Sequence, residues 1–185
     1  MNDLFKNINI SIIDTISTEA ELSGKEVYLV GGFVRDLILN RMNKDIDVMV
    51  VGNGIDFAKL ISNKLNKKLQ IFKNFGTAML KTENYEIEFV GARKESYSKD
   101  SRNPVVEQGT LVEDLSRRDF TINSLAISLN KKNYGEIIDL FSGRADIDKK
   151  IIRTPLDPKI TFHDDPLRMM RAARFASQLD FLVDK

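Results

Sequence analysis

The stretch "LVGGFVRDLILNRMNKDIDVMV", residues 29–50, contains two β-strand patterns separated by paired glycines and a short helical pattern. The second strand pattern places Asp45 and Asp47 two positions apart, with Ile46 and Val48 at the alternate positions. Residues i and i+2 of a strand point to the same face, so the two carboxylates lie side by side, about 6–7 Å apart at the backbone. Because like charges this close repel each other, the arrangement calls for a neutralising partner such as a metal ion.

The glycine pair and the arginine after it predict a site for phosphate. Gly31 and Gly32 close the first strand, and glycine lets the backbone approach a ligand closely. Backbone N–H groups at the start of a helix attract phosphate, and Arg35 adds a forked donor for phosphate oxygens. The segment lacks the G-x-G-x-x-G dinucleotide pattern and the G-K-[ST] Walker pattern. A phosphate site followed by paired acids is what metal-assisted phosphoryl transfer requires.

The composition narrows both the class of protein and the kind of metal site. With 185 residues, 42% hydrophobic and 30% charged, we expect a globular protein of one domain plus a fragment of another. No apolar run approaches 18 residues and the N-terminus lacks a signal-peptide pattern, so we expect no membrane partner and a cytoplasmic location. The absence of cysteine excludes a disulfide partner, and the single histidine, His163, excludes a multi-histidine site. A metal would therefore be held by oxygen ligands, which favours Mg²⁺, Mn²⁺ or Ca²⁺.

Hydrophobic periodicity predicts an α+β (mixed α/β) fold. Helical spacing is found at residues 8–22, 33–40, 55–66, 119–130 and 164–179. Short β patterns are found at residues 26–32, 45–52, 69–72, 77–82 and 85–92, and residues 135–154 are typical of a strand, a glycine turn and a short helix. Residues 94–110 are polar, turn-rich and interrupted by Pro104, so we expect a mobile loop there.

A third acid is available on the strand pattern "YEIEFVGA", residues 85–92. Glu86 and Glu88 share a face by alternation. If this strand lies beside the one that carries Asp45 and Asp47, either glutamate would complete a metal site. A solvated strand face is the alternative interpretation.

The last helical segment carries an acid, a series of arginines and an apolar stripe. Asp165 and Arg168 are three residues apart and share a helix face, where they match the donors and acceptors of a nucleobase edge. Without further context, helix capping by Asp165 and a solvated face for Arg168, Arg171 and Arg174 are the simpler interpretation. The apolar stripe needs a partner, so we expect the chain to be the front part of a longer protein. Its members are Leu167, Met170, Ala173 and Phe175.

Four segments, in order, resemble the motifs of one enzyme family. They are residues 29–50, "DLSRRDFTINSLAI" at 114–127, "IIDLFSGRADIDKKIIRT" at 137–154 and "DDPLRMMRAARFASQL" at 164–179. Together they resemble class II template-independent RNA nucleotidyltransferases, which are the CCA-adding enzymes and bacterial poly(A) polymerases of the polymerase β superfamily.

The resemblance implies a catalytic head with a small mixed sheet flanked by helices at residues 1–150. It implies a linker and the truncated start of a helical neck at residues 151–185. It also implies Mg²⁺ as the cofactor, with Mn²⁺ possible, ATP and CTP as substrates, and transfer of CMP or AMP to an RNA 3′ end, above all in tRNA CCA addition.

The resemblance also implies a catalytic and metal-binding role for the acids on the strands. Asp45 and Asp47 match the metal-binding pair, Glu88 falls where the third carboxylate is expected, and Glu86 is the alternative. The glycine turn and its arginine match the nucleotide-contacting residues; these are Gly31, Gly32 and Arg35.

The remaining matches concern the incoming nucleotide. Arg118 matches an arginine that contacts the nucleotide, and Asp119 matches the acid after it. Asp165 and Arg168 match the pair that reads the Watson–Crick edge of the base. Two downstream arginines match residues that hold the nucleotide, namely Arg171 and Arg174. The chain departs from the family at Asp164, where a glutamate is usual.

The sequence leaves the activity within this family open. A poly(A) polymerase, or a partial enzyme that adds only CC or only A, fits the same motifs. A non-catalytic nucleotide- or RNA-binding module is the alternative of another class, and the intact Asp45 and Asp47 pair argues against it.

Overall fold

The computed structural model describes residues 10–98 and 101–184. Its helices are α1 (Ile10–Ser23), α2 (Gly32–Ile38), α3 (Gly54–Leu65), α4 (Leu111–Ser116), α5 (Gly143–Lys149), α6 (Pro158–Asp164) and α7 (Leu167–Leu179). Its strands are β1 (Val27–Val30), β2 (Asp45–Val50), β3 (Leu69–Phe72), β4 (Thr77–Lys81), β5 (Glu86–Gly91), β6 (Arg93–Ser98), β7 (Ser101–Gln108), β8 (Leu125–Ser128), β9 (Ile137–Asp139), β10 (Ile151–Ile152) and β11 (Leu182–Val183). The architecture is α+β, as the periodicity predicts.

Seven strands form one mixed sheet in the order β3-β4-β5-β2-β1-β8-β9. Neighbouring strands are antiparallel, except that β2 and β5 run parallel. Helix α3 carries the chain from the end of β2 to the far edge, and the β3–β4–β5 meander then returns to pair with β2. Strands β6 and β7 form a separate hairpin, and β10 pairs with β11.

One face of the sheet is apolar and packs against α1 and α3. Ile46 and Val48 of β2 and Phe89 of β5 are fully buried there. Phe57 of α3 lies against Phe89, with ring centroids 6.1 Å apart, and Ile16 of α1 belongs to the same core. Burying aliphatic and aromatic side chains of this size stabilises the fold by about 1.5–3 kcal/mol each.

The opposite face is apolar only in part. A smaller cluster forms where Tyr28, Met49 and Leu115 meet. The rest of this face carries Asp45, which is exposed, and Asp47, which is half-buried. The predicted alternation in β2, with acids on one face and apolar side chains on the other, is therefore confirmed.

The helix predicted at residues 119–130 is wrong. Residues Thr121–Asn123 form a single 3₁₀ turn, and β8 follows, paired with β1. All four residues of β8 are buried, because the strand lies inside the sheet with both faces covered. A continuous apolar run of this kind does not distinguish a strand from a helix by periodicity.

The mobile loop predicted at residues 94–110 is also wrong for the part that is described. These residues form the β6–β7 hairpin, with Arg93 opposite Gln108. The hairpin lies outside the main sheet, so its strands lack the alternation of a half-buried strand. The sequence prediction also missed α4, which begins with a capping box in which Thr110 and Glu113 bond reciprocally.

The helix predicted at 164–179 is confirmed in type, but of its predicted apolar stripe only Phe175 is buried, whereas Leu167, Met170 and Ala173 are exposed. The helix begins at Leu167, and Leu167 and Met170 are 51% and 71% exposed. The buried positions of α7 are Arg168, Ala172, Phe175 and Leu179. Phe175 of this face packs edge-to-face against Phe120, with centroids 5.9 Å apart. No helix in the described part of the chain is long and apolar enough to span a membrane.

Candidate active site

The acids of β2 and β5 form two rows across the open face of the sheet. The parallel register places Asp47 beside Glu88 and Asp45 beside Glu86. Glu86 is ion-paired with Lys81 on the neighbouring strand β4, whereas Glu88 lines the main cavity together with Asp47. The geometry therefore favours Glu88 over Glu86 as the third carboxylate.

A cavity of about 780 Å³ brings together most of the residues singled out in the sequence. It is lined by Gly31, Gly32, Arg35, Asp47, Glu88, Arg118, Asp119, Asp165, Arg168 and Arg171. Asp45 lies one pleat away on the same strand face. Arg174 is exposed and does not line the cavity; its guanidinium lies over the ring of Phe175, 4.8 Å from the centroid. The structure thus places ten of the predicted residues around one space that is large enough for a nucleotide.

Asp47 lies in a crowded and poorly solvated position. Burial raises the pKa of its carboxyl to about 6; Arg118 opposes this shift, while Glu88 and Asp45 reinforce it. Gly31, with φ of 72°, faces the same point: a Cβ there would lie 2.8 Å from Arg118 Nη1 and 3.2 Å from Asp47 Oδ2. Only glycine therefore leaves this contact open.

The donor set on this face fits a divalent cation. In the part of the chain that the structure describes, no three acids or histidines converge closely enough to bind a metal by themselves. The oxygen donors of Asp47, Glu88 and Asp45 are nevertheless the hard ligands that Mg²⁺ and Mn²⁺ prefer. Their mutual repulsion, which contributes to the raised pKa of Asp47, would be relieved by a cation.

Asp114 is a buried residue that the sequence prediction missed. Its Oδ1 accepts hydrogen bonds from Arg117 Nη2 at 2.8 Å and from the Arg93 backbone N–H at 3.1 Å. Its Oδ2 accepts from Arg118 Nη2 at 2.9 Å. Burial raises the pKa of the Asp114 carboxyl, but Arg118 and Arg117 outweigh burial and hold it below its usual range. The D-x-x-R-R spacing was the available signal, because residues three and four apart share a helix face.

A chain of polar contacts connects the glycine turn to α7. Arg35 is buried and donates to Asp36 at 2.9 Å and to Asn123 Oδ1 at 2.8 Å. Asn123 in turn donates to Asp119 Oδ1 at 3.0 Å. Arg171 completes the chain, with Nε and Nη2 each 2.7 Å from Asp119 Oδ2. Asp119 therefore orients Arg171, a role that the sequence did not reveal, and Asn123 is a further residue that was missed.

The pair expected to read the base lies at the junction of α6 and α7. Arg168 is 8% exposed and its Nη2 donates to the backbone oxygen of Arg117 at 2.8 Å. Asp165 Oδ1 accepts from the Leu167 N–H at 3.1 Å, so capping, the simpler interpretation of Asp165, is also fulfilled. Both residues line the cavity, which is compatible with a contact to a ligand.

A family model described as "Poly A polymerase head domain" matches residues 27–153. The chain belongs to this family. The match includes β1 to β10, and hence the carboxylate rows, the glycine turn and Asp114.

Curated relatives agree with this assignment. The chain is 44% identical over 158 residues to an A-adding tRNA nucleotidyltransferase of Aquifex aeolicus, covering 85% of this chain and 19% of the relative. It is 40% identical over 169 residues to a CCA-adding enzyme of Enterococcus faecalis, covering 90% of this chain and 40% of the relative. The chain thus spans less than half the length of these relatives.

Solved structures of the family have the same fold. A CCA-adding enzyme in an apo form superposes with a TM-score of 0.90 at 36% identity, covering 98% of this chain and 44% of the other. A tRNA nucleotidyltransferase complexed with a primer tRNA and an incoming ATP analog superposes with a TM-score of 0.79 at 38% identity, covering 92% and 46%. The resemblance deduced from the four motifs is therefore confirmed.

Proposed function

We propose that this chain is the catalytic head of a template-independent RNA nucleotidyltransferase that transfers CMP and AMP from CTP and ATP to the 3′ end of tRNA. The observation that carries the proposal is the pairing of Asp47 with Glu88 at the edge of an arginine-lined cavity. The resemblance of the whole chain to enzymes that act on tRNA supports the choice of substrate. A tRNA substrate is in keeping with a cytoplasmic location.

The residues that line the cavity have different roles in binding the incoming nucleotide. The arginines along one wall of the cavity, Arg118, Arg168 and Arg171, bind the triphosphate and the base of the incoming nucleotide. The glycine turn at Gly31 and Gly32 lets phosphate approach the backbone closely. Arg35, whose guanidinium is shared with Asp36 and Asn123, acts by holding this wall in place.

In the reaction, the RNA 3′ oxygen forms a bond to the α-phosphorus and the bond to the pyrophosphate oxygen breaks. The proton of the 3′ hydroxyl passes to a carboxylate on this face, and pyrophosphate leaves along the arginine wall. Asp45 and Asp47, with Glu88, would hold Mg²⁺ or Mn²⁺, which when bound neutralises charge on the reacting phosphate. Asp165 and Arg168 select the base by hydrogen bonding, which is worth about 1–3 kcal/mol per good bidentate contact.

The test uses the full-length protein, a tRNA that ends before CCA, and both CTP and ATP, with sequencing of the products. Asp45→Ala and Asp47→Ala are expected to abolish addition, whereas Asp56→Ala, which removes an exposed acid on α3, leaves it unchanged. Wild-type rates in both active-site variants would disprove the assignment of the carboxylates.

A second candidate is addition of A alone. It is favoured by the name of the Aquifex aeolicus relative, an A-adding tRNA nucleotidyltransferase, whereas the Enterococcus faecalis relative is a CCA-adding enzyme. The same sequencing experiment distinguishes these activities once a second tRNA that already ends in CC is included, because an A-adding enzyme extends only that second tRNA. A long A tail would indicate a poly(A) polymerase.

A non-catalytic binding module is tested by titrating ATP or CTP calorimetrically with and without Mg²⁺. Nucleotide binding that does not depend on Mg²⁺ would favour the binding module. We also propose that the head ends near residue 150 and that residues 151–185 begin a neck, a division supported by the end of the family match at residue 153.

A further inference from the structure

The carboxylates separate two unlike halves of the open face. On one side lie the arginines of the cavity wall, among them Arg118 and Arg171. On the other side, the strand register carries the face outward from Glu88 to Met79 on β4. The next row runs from Val90 through Thr77 to Phe72 on the edge strand β3. The cavity therefore has a basic wall and an apolar wall, with the reactive acids between them.

Phe75 projects from the end of the apolar wall. It is 71% exposed, although it lines the same cavity as Asp47 and Glu88. Burying a phenylalanine side chain stabilises a fold by about 1.5–3 kcal/mol, and this ring forgoes that gain. Phe72 and Met79, which are partly exposed, line the same cavity, so the ring belongs to an apolar patch bordered by polar residues, as is typical of a ligand-binding groove.

The backbone holds Phe75 in a defined position. The residue ends a 3₁₀ turn, Lys73–Phe75, which Gly76 closes in the left-handed conformation, with φ of 65°. The carbonyl oxygen of Phe75 accepts a hydrogen bond from Arg93 Nη2 at 2.7 Å. The ring is therefore presented from a fixed turn whose backbone is held by the Arg93 guanidinium.

We propose that Phe75, with Phe72 and Met79, forms the surface on which the 3′-terminal base of the acceptor RNA stacks. The inference rests on the proposed function, because it concerns the second substrate of the same site. In-line displacement places the attacking hydroxyl opposite the leaving pyrophosphate. With the triphosphate on the arginine wall, the acceptor must approach over the apolar wall.

The chemistry of this wall suits such an acceptor. Every base has a π-face, so stacking on an aromatic ring tolerates any sequence. An acceptor whose last base changes after each addition requires that tolerance, whereas hydrogen bonding to a base edge would favour one base. A second cavity, of about 910 Å³, adjoins the first, and Phe75 and Arg93 line both. It offers space for the nucleotides that precede the terminal one.

The first test compares kinetic constants for RNA and nucleotide in the full-length protein. Phe75→Ala should raise KM for the RNA about tenfold or more, because one stacked base is lost, and leave KM for the nucleotide unchanged. Phe75→Trp should restore the wild-type value. Ile71→Ala is the matched control, because Ile71 is a 39% exposed apolar residue on β3 that faces the opposite side of the sheet. Equal KM values for RNA in the Phe75→Ala and Ile71→Ala variants would overturn the inference.

An RNA that lacks its terminal base provides the decisive comparison. The wild-type protein should bind and extend this abasic RNA as poorly as the Phe75→Ala variant binds and extends the intact RNA. The variant should show no further loss of binding or extension when it is given the abasic RNA. If the two losses instead add, Phe75 acts elsewhere and the inference is wrong.

Binding without chemistry distinguishes this inference from the proposed function. Anisotropy of a labelled RNA, measured without nucleoside triphosphate, should show the same loss in the Phe75→Ala variant. RNA binding that depends on Phe75 without nucleotide transfer would overturn the proposed function and support the stacking surface. Nucleotide transfer with an RNA affinity that does not depend on Phe75 would support the proposed function and overturn the stacking surface. Absence of both RNA binding and nucleotide transfer would overturn both proposals.

Discussion

Removing the charge of Asp114 should destabilise the protein and loosen the nucleotide wall together. Asp114 is fully buried and holds Arg117 and Arg118 at 2.8 and 2.9 Å. Substitution by asparagine keeps the size of the side chain and one acceptor oxygen for the Arg93 N–H. It leaves two arginines without their shared carboxylate, so the variant isolates the charge from the packing.

The expected loss of stability in Asp114→Asn depends on how exposed Arg117 and Arg118 are. Breaking a buried ion pair by removing one partner costs about 3–5 kcal/mol. Here the side chains of Arg117 and Arg118 are 22% and 16% exposed, and Arg117 also pairs with Glu95 at 2.7 Å. Water and Glu95 therefore compensate in part, and we expect Asp114→Asn to lower the free energy of unfolding by about 2–3 kcal/mol.

Urea unfolding followed by circular dichroism measures this loss, and KM for the nucleotide should rise because Arg118 loses its anchor. Asp56→Asn is the matched control: its ion pair with Lys59 is exposed on α3, and we expect a change below about 0.5 kcal/mol. A change of that small size in Asp114→Asn would refute the reasoning.

The pH dependence gives an independent check on Asp114. The pKa of its carboxyl is lower in the folded than in the unfolded protein, so its contribution to stability is present above the unfolded value, about 3.9, and is lost as pH falls through the folded value. The difference in the free energy of unfolding between the wild type and Asp114→Asn should be constant from pH 7 to about pH 5 and should shrink below about pH 4. A difference that grows on acidification would contradict the assigned direction.

Three further predictions concern single positions. Asp47→Asn should raise the free energy of unfolding at pH 7 by up to about 3 kcal/mol in the absence of divalent cations. The reason is that burial raises the pKa of Asp47 from 3.8 to about 6, so the ionised carboxylate opposes folding at pH 7. Thermal melting with a chelator measures this change, and a variant less stable than the wild type would contradict it. Glu88→Gln should reduce the rate of nucleotide transfer at least about 100-fold. Glu86→Gln should leave this rate near the wild-type value, because Glu86 pairs with Lys81 and does not line the cavity. Equal losses of rate in the two variants would disprove the choice of Glu88. Gly143→Ala should lower the free energy of unfolding by about 1–3 kcal/mol, because its Cβ would lie 2.2 Å from the backbone oxygen of Thr121. Urea unfolding measures this loss, and unchanged stability would contradict the predicted clash.

The local pattern was sufficient to predict β2 and β5, because a half-buried strand imprints its two faces on alternate residues. It failed for β8, where burial of both faces by tertiary structure removes the alternation. It failed in another way for α7, whose buried face contains Arg168 in place of the expected Leu167. An arginine that donates to backbone oxygens inside a cavity wall cannot be distinguished by spacing from one on a solvated face.

The site was predictable as a set of residues but not as a set of contacts. Motif order identified Asp119 and Arg171, whereas their ion pair joins positions 52 residues apart and depends on how α7 packs. Asn123 was missed for the same reason: its amide links Arg35 to Asp119 only after the 3₁₀ turn has formed. Phe75 was missed because an exposed aromatic residue in a turn has no periodic signature.

The period of two along β2 and β5 also explains how a fold of this size tolerates a cluster of acids in the middle of its sheet. Each acid alternates with a fully buried apolar residue, as Asp47 does with Ile46 and Val48. A slip of one residue would expose that apolar set and bury the carboxylates, a loss of about 1.5–3 kcal/mol for each large side chain in addition to the cost of desolvating charge. The core packed against α1 and α3 therefore fixes the register that places Asp47 beside Glu88, and the repulsion between these acids can be retained for binding a cation without letting the strands shift.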